Sequence, residues 1–116
     1  DCLVRRSPTN TPLEALVTMN DPVYLESAMK LAMSYNHKES KTAIFEMYQK
    51  ATFRKVDEEK LNNLMLLFEE AKLNFENDPD QLVNFFGMDH LTDVKTASLA
   101  IIANAIMNLD EFLTHG

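Results

Sequence analysis

Asp93-Val94-Lys95-Thr96-Ala97-Ser98-Leu99-Ala100-Ile101-Ile102-Ala103-Asn104-Ala105-Ile106-Met107-Asn108 is the stretch whose reading decides the fold. At 3.6 residues per turn its Ala, Leu, Ile and Met residues fall on every side of a helix instead of forming one stripe. A helix that is apolar all round has to be surrounded by protein. We therefore expect a central helix from Asp93 to about Asn108, with its alanines allowing neighbours to approach closely, in an all-α orthogonal or bundle-like array.

Elements able to surround it are legible on the N-terminal side. Leu61, Leu64, Met65, Phe68, Ala71 and Phe75 form one apolar stripe, preceded by Asp57 as a helix cap and by Glu58 and Glu59, which suit the positive end of a helix dipole. Before it, Ile44, Met47, Tyr48 and Ala51 share a face on a helix ending near Phe53, after the polar break Asn36-His37-Lys38-Glu39-Ser40. Asn77-Asp78-Pro79-Asp80-Gln81 stops one helix and restarts another, with Asp78 expected as cap and Gly87 as terminator. With Gly87 and Gly116 its only glycines and no sustained alternation, the chain offers little to a sheet. The expectation is one domain over residues 1–116, with about five to six helices.

The start of the chain is dense in turn and cap residues. In Thr11-Pro12-Leu13-Glu14 the Thr11 hydroxyl and the Glu14 carboxylate form a capping box, with Pro12 where no donor is needed, opening a helix to about Met19. Asn20-Asp21-Pro22 repeats the device: Asp21 caps and Pro22 starts a helix to about Tyr35.

Arg5-Arg6-Ser7-Pro8-Thr9-Asn10-Thr11-Pro12-Leu13-Glu14-Ala15-Leu16, Met19-Asn20-Asp21-Pro22, and Asn108-Leu109-Asp110-Glu111-Phe112-Leu113-Thr114 at the other end together resemble the C-terminal part of domain-of-unknown-function family 1553. That family occurs in planctomycete-type bacterial surface proteins that also carry cytochrome-c-like modules. The resemblance is specific at the two ends and matches the middle only in its alternation of helix and break. Two departures stand out. Glu14 replaces a usual Gln and keeps the capping box, and around Phe53-Arg54-Lys55-Val56-Asp57 the usual Gly before Arg and Pro after it are missing.

The resemblance implies a piece cut from a larger protein exported to the periplasm or cell surface, with other domains of that parent as its partners. It implies no chemistry. The candidate residues are the signature cluster Arg5, Arg6, Thr9, Asn10, Thr11, Asn20, Asp21, Asn108, Asp110 and Glu111. On the structural reading, Arg5 or Arg6 forks onto Asp110 or Glu111 and closes the two ends together, while the Thr and Asn side chains satisfy nearby turns. On the functional reading, the same residues line a ligand cleft completed by a region upstream.

Composition narrows the classes further. A net charge of −7 opposes nucleic acid, whose phosphates require clustered Lys and Arg. Charge is also uneven: Asp57, Glu58, Glu59, Glu69, Glu70, Glu76, Asp78 and Asp80 crowd residues 57–80, whereas Lys30, Lys38, Lys41, Lys50, Arg54 and Lys55 lie in residues 30–55. Either solvated faces or the steering of a charged partner accounts for this. One cysteine, Cys2, permits neither a disulfide framework nor a Cys-x-x-Cys-His haem attachment. His37, His90 and His115 have no zinc spacing, a calcium loop starting at Asn77 or Asp78 would put Leu82 or Val83 at the sixth position that needs Gly and Met88 or Asp89 at the twelfth that needs Glu, and no serine sits in a nucleophile elbow. No apolar run reaches the roughly 20 residues that direct membrane insertion needs. No cofactor and no catalytic residue is expected in this chain, whose leading reading is a non-catalytic scaffold or interaction module. Its alternative is half of a ligand, carbohydrate or enzyme site.

Overall fold

The computed structural model describes residues 22–88 and 93–115, with side chains described for 26–88 and 93–108. Five helices occupy these residues: α1 Pro22–Tyr35, α2 Ser40–Thr52, α3 Glu58–Asn77, α4 Asp80–Phe86 and α5 Val94–His115. No strand occurs among them. The Thr11 and Asp21 caps and the helix expected to end at Met19 lie outside the described residues.

α5 is the element around which the others assemble. It packs most extensively against α1, then α3, then α2, while α4 rests on α3. Every residue from Thr96 to Asn104 is buried, so the all-round apolar pattern does mark a surrounded helix. Ala97, Ala100 and Ala103 are fully buried, and their small side chains let neighbouring backbones come close.

The amphipathic stripes converge on the same core. Leu61, Leu64, Phe68, Ala71 and Phe75 of α3 are buried, as are Ile44, Met47 and Tyr48 of α2 and Ala28, Met29 and Ala32 of α1. Met65 and Ala51 pack against this cluster from its margin. α4 is fixed to α3 by three rings: Phe75 meets Phe85 edge-on at 6.2 Å and Phe86 at 6.1 Å, and Phe85 and Phe86 lie 6.4 Å apart. Such aromatic pairs add about 0.5–1.5 kcal/mol beyond the area they bury.

The helix ends test the punctuation. The Asp57 carboxylate accepts the Lys60 backbone N–H at 2.7 Å, and Glu58 and Glu59 occupy the first turn of α3. α4 ends at Gly87, whose φ of +80 suits a residue without Cβ. Two expectations need correction. Asp78 is not a side-chain cap: α4 opens with tight three-residue turns in which Gln81 N–H donates to Asp78 O and Leu82 N–H to Pro79 O. The Gln81 amide N–H is thereby already satisfied, and the Asp78 carboxylate instead receives the Gln81 side-chain amide at 3.3 Å. Nor does α5 stop near Asn108. It runs to His115, because no Gly or Pro interrupts residues 94–115 and Leu109, Phe112 and Leu113 continue the apolar spacing.

Candidate functional site

Of the ten signature residues, Asn108 alone has a described side chain. Arg5, Arg6, Thr9, Asn10, Thr11, Asn20 and Asp21 lie outside the described residues; Asp110 and Glu111 are helical in α5, with side chains outside the description. The proposed pairing of the two ends therefore falls beyond the described contacts.

Around Asn108 the structure adds a partner that local pattern had not singled out. Asn104, 1% exposed, accepts the Asn108 side-chain N–H at 3.0 Å. One helical turn separates the two residues, so their amides stack along one face of α5. The Asn108 side-chain oxygen is buried and receives no hydrogen bond from the described residues. A buried amide oxygen without a donor costs about 1–3 kcal/mol. This leaves one polar acceptor at the entrance to the segment Asn108-Leu109-Asp110-Glu111.

A second polar node holds the other end of α5. Asp93 accepts the Thr96 backbone N–H at 3.2 Å and the Thr96 hydroxyl at 2.6 Å, the two-bond clasp of an N-cap. The Thr96 oxygen in turn accepts the Asn36 amide at 3.0 Å, and the Lys95 ammonium donates to the Lys38 carbonyl at 2.6 Å. The polar break after α1 is thus a tie onto the central helix. Lys38 also pairs with Glu46 at 3.3 Å, both side chains about one-third exposed, which makes the pair worth at most about 1 kcal/mol.

The surface carries shallow depressions. One of 280 Å³ is lined by Leu66, Glu69, Glu70, Leu73, Asn74 and Asn77 on the outer face of α3; another of 240 Å³ lies between α2 and α3 at Lys41, Thr42, Phe45 and Leu61. Both fall under the roughly 300–1,000 Å³ of ordinary small-molecule sites. Ser98 is fully buried, with no partner to its hydroxyl among the described residues, and is out of reach of any substrate. Among the described residues no group of three or more His, Cys, Asp or Glu is placed to hold a metal ion, and no helix is long and apolar enough to cross a membrane.

The sequence profile of the family PSD1, protein of unknown function (DUF1553), matches residues 1–68, more than half of the chain. The chain belongs to that family. No curated protein and no solved structure matches it. The PSD1 match takes in the N-terminal signature together with α1, α2 and the first half of α3. Within that span lies Phe53. Phe53 has φ +61 and ψ +24, the left-handed conformation that Gly adopts readily, and it is the one non-glycine residue with positive φ among the described residues.

Proposed function

We propose that this PSD1 chain is a non-catalytic helical scaffold of a larger exported bacterial protein, joined to other domains of that parent. One observation carries the reading: α5 is enclosed by α1, α2 and α3, and its polar residues bond inward, Thr96 to Asp93 and Asn36, Asn108 to Asn104. Polar groups used in this way fix helices in place and present no convergent set of donors to a substrate. Such a body holds its surfaces in fixed relation and carries no resident cofactor. The cytochrome-c-like modules of the parent would supply any redox chemistry, and the acidic balance of the chain favours protein partners over nucleic acid. A periplasmic or cell-surface setting accords with the family resemblance.

A second reading draws on the Asn108 oxygen, buried and without a donor among the described residues. There, Asn108 with Arg5, Arg6, Asp110 and Glu111 forms part of a ligand or carbohydrate cleft completed by an upstream region. A double-mutant cycle separates the readings: Arg5→Ala and Arg6→Ala crossed with Asp110→Ala and Glu111→Ala, followed by chemical denaturation. The scaffold reading expects an interaction term of about 0.5–3 kcal/mol for at least one pair. Additive effects in every pair would transfer these residues to the ligand reading.

A further inference from the structure

The methionines of this chain stand at opposite extremes of burial. Met47 of α2 is fully buried and Met29 of α1 is 7% exposed, both within the core cluster. Met33 of α1 and Met88, the residue after the Gly87 terminator of α4, are 57% and 69% exposed. Helical spacing produces the contrast within α1. Ala28, Met29 and Ala32 turn inward, whereas Glu26, Lys30, Met33 and Ser34 are exposed, so Met33 is an apolar side chain on a polar face.

Position decides what oxidation does to each sulfur. A thioether needs no deprotonation to act as a nucleophile, so access to the oxidant governs its reaction. Its lone pair attacks one oxygen of a peroxide, an S–O bond forms and the O–O bond breaks. With hydrogen peroxide the departing hydroxide takes a proton and leaves as water; sulfur gives up two electrons, the peroxide gains them, and the product is methionine sulfoxide. At Met33 and Met88 the new S–O group meets solvent, which solvates it as well as any partner would. At Met29 and Met47 the same group would be a strong acceptor buried among aliphatic and aromatic side chains, an arrangement that the folded state disfavours.

We propose that Met33 and Met88 are oxidation sites of this chain, taking up peroxide-type oxidants as sulfoxides ahead of Met29 and Met47 and without loss of the fold. The modification is reversible, because methionine sulfoxide reductases return the sulfoxide to the thioether. This inference does not rest on the scaffold reading, which draws on α5 and the two chain ends.

The test treats the 116-residue chain, its Cys2 thiol alkylated beforehand, with limiting hydrogen peroxide and follows sulfoxide at each methionine by peptide mass spectrometry. Met33 and Met88 should oxidise at least about tenfold faster than Met29 and Met47, because a buried sulfur reacts only when the fold opens. In denaturant the rates at the four sites should converge, which assigns the ordering to the fold and not to neighbouring sequence. Oxidation to the end of the fast phase should lower the melting temperature of the chain no more than it lowers that of Met33→Leu/Met88→Leu, which lacks both sites. Met29 or Met47 reacting as fast as Met33 and Met88 in the folded chain overturns the proposal. So does an ordering that persists in denaturant, or a loss of stability in the oxidised chain that the double variant escapes.

Discussion

The Asn36 side-chain amide donates to the Thr96 hydroxyl oxygen at 3.0 Å, joining residues sixty positions apart at the point where α1 ends and α5 begins. Thr96 is fully buried and its hydroxyl also donates to Asp93. Thr96→Val keeps the shape but leaves the Asn36 donor and the Asp93 acceptor without this partner. It should cost about 1–3 kcal/mol by chemical denaturation, against about 0.5–1.5 kcal/mol for Asn36→Ala. The double variant should lose less than the sum of the two. Strict additivity would mean that the bond contributes nothing to holding α1 on α5.

Phe68 is 2% exposed and central to the α3 stripe, whereas its neighbour Glu69 is exposed. Phe68→Ala should cost about 3–5 kcal/mol and Glu69→Ala at most about 0.5 kcal/mol. A domain of this size has about 5–15 kcal/mol in total, so the first change should lower the melting temperature sharply. Equal melting temperatures for the two variants would place the buried face of α3 wrongly.

Phe53→Gly should stabilise the folded chain. A left-handed L-residue costs about 1–2 kcal/mol, and the greater freedom of Gly in the unfolded chain returns about 0.5–1 kcal/mol of that, leaving a net gain of about 0–1.5 kcal/mol. The surrounding turn needs no rebuilding. The Phe53 N–H already donates to Gln49 O at 2.8 Å, and the Thr52 hydroxyl donates to Tyr48 O while accepting the Arg54 N–H. Chemical denaturation measures the change, and a destabilised Phe53→Gly would show that the ring has a packing role within the chain.

What the sequence reveals and what it hides follow from the range of each interaction. The stripe from Leu61 to Phe75, the Asp57 cap and the enclosed character of residues 97–107 all arise within a few turns, so spacing alone displays them. The bond between Asn36 and Thr96 has no local signature, and Asn36-His37-Lys38 accordingly reads as a mere break. Asn104 was more accessible, as a polar residue four positions before Asn108 in an otherwise apolar helix. At Asn108 a cluster of polar residues suggests a stop, yet the absence of Gly and Pro lets α5 continue to His115. Phe53 hides its left-handed backbone from composition and spacing, and the one cue is the Gly that the family resemblance leads one to expect before Arg54. As for the signature cluster, its partners at residues 5–21 lie beyond the described contacts, and the site is legible as a motif without a geometry.

Native-state hydrogen exchange along α5 tests most directly the central claim that this helix is the enclosed member around which a scaffold is built. Amides of Leu99, Ala100, Ile101, Ile102 and Ala103, all on fully buried residues, should be the slowest in the chain and should exchange only through global unfolding, while those of the short peripheral α4 exchange earlier by local opening. Protection in residues 99–103 no greater than in α4 would contradict the account, because a helix that opens independently of its neighbours cannot be what holds them together.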